Sequence, residues 1–166
     1  LRLQVRQRCF GGGERLLGRD EFAVADLGGA FEIAAALGAR GVEVVSEVLW
    51  EWSLAHAGAL DRKGRTVAVL GSGLGKPYPA ENRGLFDRSV ESGAIISEFS
   101  LDYPIAPGNF PRRNRLISAL SSAVVVVEAA ERSGSLITAR HAADQGREVL
   151  AVPGPVTSLK SVGCHR

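Results

Sequence analysis

The densest set of residues able to bind negative charge is Phe110-Pro111-Arg112-Arg113-Asn114-Arg115, with three guanidiniums in four positions and no acid between Tyr103 and Ala123. A planar guanidinium can donate two parallel hydrogen bonds to a phosphate, and the Phe110 ring adds an apolar or stacking surface beside that charge. If Asn114 starts the following helix, free backbone amides reinforce the same field. A second candidate is Gly71-Ser72-Gly73-Leu74-Gly75-Lys76-Pro77, where the absence of side chains lets an anion approach the backbone, with Lys76 adding charge. A third is Ser133-Gly134-Ser135, with Thr138 following, a turn whose amides and hydroxyls suit phosphate or sugar groups. Plainer readings stand beside these: a tight turn, an exposed basic loop with Phe110 in the core, and a helix cap at Ser135.

Neither common nucleotide signature fits the glycine stretch. A dinucleotide fingerprint requires glycine where Lys76 stands, and a Walker A loop requires glycine at Leu70 and Ser or Thr at Pro77. Catalytic and metal chemistry has little support. His56, His141, His165, Cys9 and Cys164 show no ligand spacing, Ser97 beside Glu98 lacks a base, and no GxSxG elbow is present. No catalytic residue, metal or cofactor is expected.

The elements that would position these stretches alternate along the chain. Thr66 to Leu70, Ala94 to Ile96, Val124 to Val127 and Glu148 to Val152 are short apolar runs, as expected of strands shielded on both faces. Glu81 to Ser92, Asn114 to Leu120 and Ser135 to Gln145 read as helices between them. Upstream, Phe31 to Arg40 reads as a helix, Val42 to Val45 as a strand and Trp50 to Leu60 as a helix. Gly41, Gly93 and Gly146 stand at helix-to-strand turns, where glycine takes the left-handed conformation at small cost. Leu1, Leu3 and Val5 alternate with polar residues like a short strand, but Gly11 to Gly13 interrupt it and residues 1–30 are poorly specified. The expected fold class is α/β: a three-layer, Rossmann-like fold with a mainly parallel sheet, in one domain over residues 1–166. In such a sheet, ligands lie beyond the carboxyl ends of the strands, where all three candidate stretches fall.

The 166 residues balance 20 Lys and Arg against 18 Asp and Glu, for a net charge of +2, so any polyanion site must be local. Two isolated cysteines give no disulfide framework, the usage of a reducing cytoplasm, and no apolar run is long enough to span a membrane.

Taken in order, TVAVLGSGLGKPYPAENRGLF, GAIISEFS, PGNFPRRNRLISALSSAVVVVEA, SGSLITARHAADQGREVLAVPG and SVGCHR resemble the DNA-processing protein A family, also called Smf. The resemblance runs from about Val42 to Arg166 and is strongest from Thr66 to Pro155. It implies a cytoplasmic, homodimeric Rossmann-like protein that binds and protects single-stranded DNA during natural transformation and supports loading of a RecA-type recombinase, without a covalent reaction. It assigns Gly71 and Gly73 to the glycine loop, Arg113 and Arg115 to phosphate contacts, and Ser133, Gly134 and Thr138 to the wall of the groove. Upstream the chain departs from the family pattern. Asp20 replaces the arginine of a Gly-Ser-Arg turn at Gly18-Arg19-Asp20, and Ser46 to Leu54, with Glu47, Trp50, Glu51 and Trp52, replaces a glycine-rich SGxAxGID stretch before Ala55 and His56. Two other functions are compatible with the sequence. One is a nucleotide or nucleoside-phosphate hydrolase of the lysine-decarboxylase-like group using Glu128. The other is an inactive or interaction-only family remnant.

Overall fold

A computed structural model of the chain describes residues 4–6, 21–25, 29–47 and 53–166. The expectations placed on Leu1, Leu3, Cys9, Gly11 to Gly13, Gly18 to Asp20, Trp50, Glu51 and Trp52 lie outside them. The elements in chain order are β1 (Gln4–Arg6), β2 (Glu21–Ala25), α1 (Ala30–Gly38), β3 (Glu43–Glu47), α2 (Ser53–Asp61), β4 (Thr66–Val69), α3 (Arg83–Ser92), β5 (Ala94–Ser97), α4 (Asn109–Ala119), β6 (Ala123–Val126), α5 (Gly134–Asp144) and β7 (Glu148–Ala151).

The strands form one sheet in the order β1-β5-β4-β3-β2-β6-β7, parallel throughout except for β1, which pairs antiparallel with β5. The order reverses beside β2. The chain steps outward from β2 to β5, then returns through α4 to β6 on the other side of β2. Alternate residues of the central strands face opposite layers. Val45, Val67, Val69, Ile96, Val124 and Val126 pack with Leu116 and Ile117 of α4 and Ala142 of α5. On the other face, Val44, Val125 and Val127 meet α1 and α2, while Ala68, Leu70 and Ile95 meet Phe86 of α3. The α/β, three-layer, mainly parallel architecture expected from the alternation is therefore present.

Four local expectations need correction. β2 is not legible in residues 1–30, yet it lies inside the sheet between β3 and β6; its sequence EFAVA is short and carries two alanines, which have weak strand preference. Glu148 to Ala151 is not shielded on both faces, because β7 is the outer strand and all four residues are exposed. Gly146 does take positive φ (68°), but Gly93 does not. At Gly93 the reason for glycine is proximity, since a Cβ there would lie 1.9 Å from the Thr66 carbonyl oxygen. Finally, α4 begins at Asn109, five residues before the expected Asn114.

A buried polar relay fixes α2 on the sheet. The Thr66 hydroxyl donates to the Val44 carbonyl at 2.7 Å, so it accepts from Nδ1 of the fully buried His56, also at 2.7 Å. His56 thus has a structural partner in the layer below the sheet.

Candidate nucleic-acid interface

The early start of α4 decides where its charges go. Proline lacks an N–H, but the first turn of a helix has no intrahelical use for one, so Pro111 sits there without disruption. The whole stretch Phe110 to Arg115 is therefore helical, and each side chain takes its place from the helix period. Asn109, Arg113, Leu116 and Ile117 fall on the inner face and are buried, while Arg112 is exposed.

This separates the three arginines. Arg113 is fully buried. Its Nη1 donates to the carbonyl of Val69 at the end of β4, its Nε donates to Asn114 Oδ1 at 3.1 Å, and its guanidinium carbon lies 5.8 Å from the Phe110 ring centre. The expectation that Arg113 meets phosphate is corrected by this burial: the side chain pins α4 to the carboxyl end of the sheet. Arg115 is part-exposed and its Nη2 is joined to Oε2 of Glu98, whose side chain is buried just beyond β5. Much of the Arg115 charge is thereby neutralised internally. Arg112 remains at the surface, with its guanidinium 5.6 Å from the centre of the Phe99 ring, itself stacked on Tyr103 at 4.9 Å and 24°. Arg112 is thus an exposed cation resting on a buried ring.

The glycine stretch lies against the same corner. A Cβ at Gly73 would fall 2.1 Å from the Ser100 oxygen and 2.2 Å from that of Leu101, so only glycine allows the loops after β4 and β5 to touch. Gly73 N–H donates to the Tyr103 carbonyl at 3.0 Å, Gly75 N–H to that of Leu101 at 2.8 Å, and Lys76 N–H to that of Gly73 at 3.0 Å. Those three amides serve loop packing and are not turned toward an anion. Lys76 is exposed. Gly71 lies beneath Phe110, whose Cδ1 would be 3.0 Å from a Cβ at that position. Asn109, which the sequence reading did not select, locks this contact by donating from Nδ2 to the Gly71 carbonyl at 2.8 Å and to that of Pro104 at 3.1 Å.

The third stretch joins through Asn114, which is buried and whose Nδ2 approaches the Gly134 carbonyl at 3.5 Å. It neither caps nor starts α4. The cap of α5 is Ser133, not Ser135: its Oγ accepts from Ser135 N–H at 3.3 Å and lies 3.0 Å from Ser135 Oγ. Ser135 and Thr138 are buried, whereas Gly134 is exposed with open space where a Cβ would point. The segment after β7 braces this loop from the far side, with Ala129 N–H donating to the Lys160 carbonyl and Gly163 N–H to that of Ala129.

All three stretches thus meet at the carboxyl edge. The exposed members are Arg112, Lys76 and Gly134, with Phe110 half-buried, while Arg113, Asn114, Ser135 and Thr138 form the support. Phe99 and Tyr103 were also missed, although aromatic residues interleaved with basic ones are a usable signal for single-strand binding. Among the described residues no cluster of His, Cys, Asp or Glu is placed to hold a metal, and no helix is long and apolar enough to cross a membrane.

Comparison with known proteins places the chain in a family. The family model for DNA recombination-mediator protein A matches residues 29–166. Protein Smf of Escherichia coli is 50% identical over 131 residues, covering 78% of this chain and 35% of that protein. DNA processing protein DprA of Streptococcus pneumoniae is 42% identical over 111 residues, 67% of this chain and 39% of that protein. The chain therefore spans little more than a third of these relatives. The X-ray structure of the Streptococcus pneumoniae protein superposes with a TM-score of 0.78 at 35% identity, over 87% of this chain and 54% of that one. The fold is shared equally with DNA processing protein A from Helicobacter pylori, at a TM-score of 0.81 and 24% identity, over 98% of this chain and 76% of that one. With the matched segment covering β3 to β7 and the three convergent loops, the chain belongs to the DNA recombination-mediator protein A family.

Proposed function

We propose that this chain is a DNA-processing module that binds single-stranded DNA along the carboxyl edge of its sheet and makes no covalent change to it. The observation that carries this reading is the seating of exposed Arg112 on Phe99, beside the loop bearing Lys76. It provides outward-facing positive charge on a rigid support at the ligand edge of a parallel sheet. DNA processing protein A from Helicobacter pylori, which shares the fold, has a single-stranded DNA binding mode of its own, and this supports the same substrate class here. Within that reading, Arg112 and Lys76 meet phosphates, Phe110 and Gly134 line the track, and Arg113, Arg115 and Asn114 hold the track in shape. Protection of DNA in natural transformation, cytoplasmic location, homodimerisation and loading of a RecA-type recombinase belong to the same proposal and rest on family membership.

The test is a titration of fluorescent oligo-dT of about 20 nucleotides at several salt concentrations. Affinity is expected to fall with salt, and Arg112→Ala is expected to weaken binding and reduce the log-log slope by about 0.7, the contribution of one single-strand phosphate contact. An Arg112→Ala protein with unchanged affinity and slope refutes the assigned contact. Nucleotide hydrolysis abolished by Glu128→Gln would instead place the chain with the hydrolases.

A further inference from the structure

We infer that Tyr103 is a nucleobase platform, and that it makes the proposed interface prefer an unpaired strand to a duplex. The inference rests on the DNA-binding reading and adds to it the part of the nucleotide that is recognised. Charged side chains such as Arg112 and Lys76 meet phosphates, which single strands and duplexes share. Preference for a single strand requires a surface that an unstacked base can use and a paired base cannot.

Four exposed large apolar residues lie on the loops that leave β4 and β5: Tyr78, Leu101, Tyr103 and Ile105. Of these, Tyr103 combines a flat π-face with a fixed orientation. One face of its ring is taken by Phe99, at 4.9 Å and 24°, yet the residue remains 38% exposed. With Phe99 against one face, the other face and the hydroxyl edge are the parts of this exposed residue that a base could use. Phe99 is buried and also carries Arg112, so the ring and the cation share one support. The backbone is fixed as well: the Tyr103 carbonyl accepts from Gly73 N–H at 3.0 Å, and Tyr103 N–H donates to the Ser100 carbonyl at 2.9 Å. A base stacked on Tyr103 thus encounters a ring already held in position, with little ordering cost, next to a cation suited to the adjoining phosphate. In a duplex the same base faces are occupied by neighbouring bases.

The experiment compares two fluorescent probes of about 20 nucleotides, oligo-dT and an abasic strand with the same number of phosphates. The proteins are the wild type, Tyr103→Leu, which keeps apolar cover over Phe99 but removes the π-face, and Tyr103→Phe, which restores it. Wild type is expected to bind oligo-dT more tightly than the abasic strand. Tyr103→Leu should lose about 5- to 150-fold on oligo-dT alone, the range for one base-aromatic stack, and Tyr103→Phe should regain it. An equal loss on both probes would mean that the ring serves only to hold Phe99 and Arg112, and would overturn the inference, as would no loss on either. A wild-type protein that binds oligo-dT and the abasic strand equally overturns it while leaving the DNA-binding reading standing. Failure of the wild type to bind either probe refutes both.

Discussion

Replacing Arg113 with alanine separates a structural arginine from a binding one. The substitution withdraws two donors inside the protein, from the Val69 carbonyl and from Asn114 Oδ1, and empties the volume of a fully buried side chain. A hydrogen bond from a charged donor contributes about 1.5–3 kcal/mol, so the loss of two should total roughly 3–6 kcal/mol. With an unfolding slope of about 2 kcal/mol per molar urea, the midpoint should fall by roughly 1.5–3 M with the slope unchanged. Arg112→Ala removes an exposed side chain resting on one ring, worth about 0.5–1 kcal/mol, and should barely move the midpoint while weakening DNA binding. The two variants are measured by urea unfolding followed by circular dichroism, and by oligo-dT titration under conditions where each is folded. An Arg113→Ala protein that unfolds with the wild type yet loses DNA affinity would show that Arg113 reaches phosphate, and the division between inner and outer arginines would be wrong.

Glu43 at the start of β3 tests a buried carboxyl. Burial pushes its pKa above the ordinary 4.5, Arg65 at 3.6 Å only partly opposes this, and Oε1 has no hydrogen-bond partner among the described residues. The folded protein therefore holds this proton to higher pH than the unfolded chain does. Its favourable contribution is complete below about pH 4.5 and is lost as pH rises through the raised folded value. Relative to wild type, Glu43→Gln should gain stability as urea midpoints are followed from acid to neutral pH, and parallel profiles would contradict the assignment. Asp102 is exposed with Oδ1 beside Gly75, 3.0 Å from where a Cβ would sit, which puts a negative charge at the proposed track. Asp102→Asn should tighten oligo-dT binding about two- to threefold at low salt and less at high salt, and an unchanged affinity at low salt would take Asp102 off the track.

The sheet was legible where both faces of a strand are covered. TVAV, AIIS and AVVV carry apolar residues at consecutive positions because alternate ones face α4 and α5 or α1 to α3. The convergence of three loops at one edge followed from the parallel alternation. The fate of the arginines did not, because it depends on a helix start concealed by Pro111. Once α4 begins at Asn109, spacings of three and four place Arg113 with Leu116 and Ile117 on the inner face, and its burial becomes predictable. Two features have no comparable local signal. Glu98 taking up Arg115 joins residues 17 apart, and the approach of Gly73 to Ser100 and Leu101 joins two loops that only the sheet brings together.

The motif that identifies the family is therefore mostly a device for joining loops, and this separates membership from affinity. Asn109 ties α4 to Gly71, Arg113 ties it to Val69, and Asn114 approaches Gly134, so one helix start links the exits of β4 and β6. Glu98 brings in the exit of β5 through Arg115. A flexible polymer bound along several loops is held more tightly when those loops need no ordering, because each side chain immobilised on binding costs about 0.5–1.5 kcal/mol. Under the proposed function, internal arginines serve DNA binding without touching DNA, by keeping Arg112, Phe110 and Tyr103 in one fixed arrangement. On this reasoning, substitutions of the buried Arg113 and Asn114 should affect folding and binding together, and substitution of the exposed Arg112 binding alone.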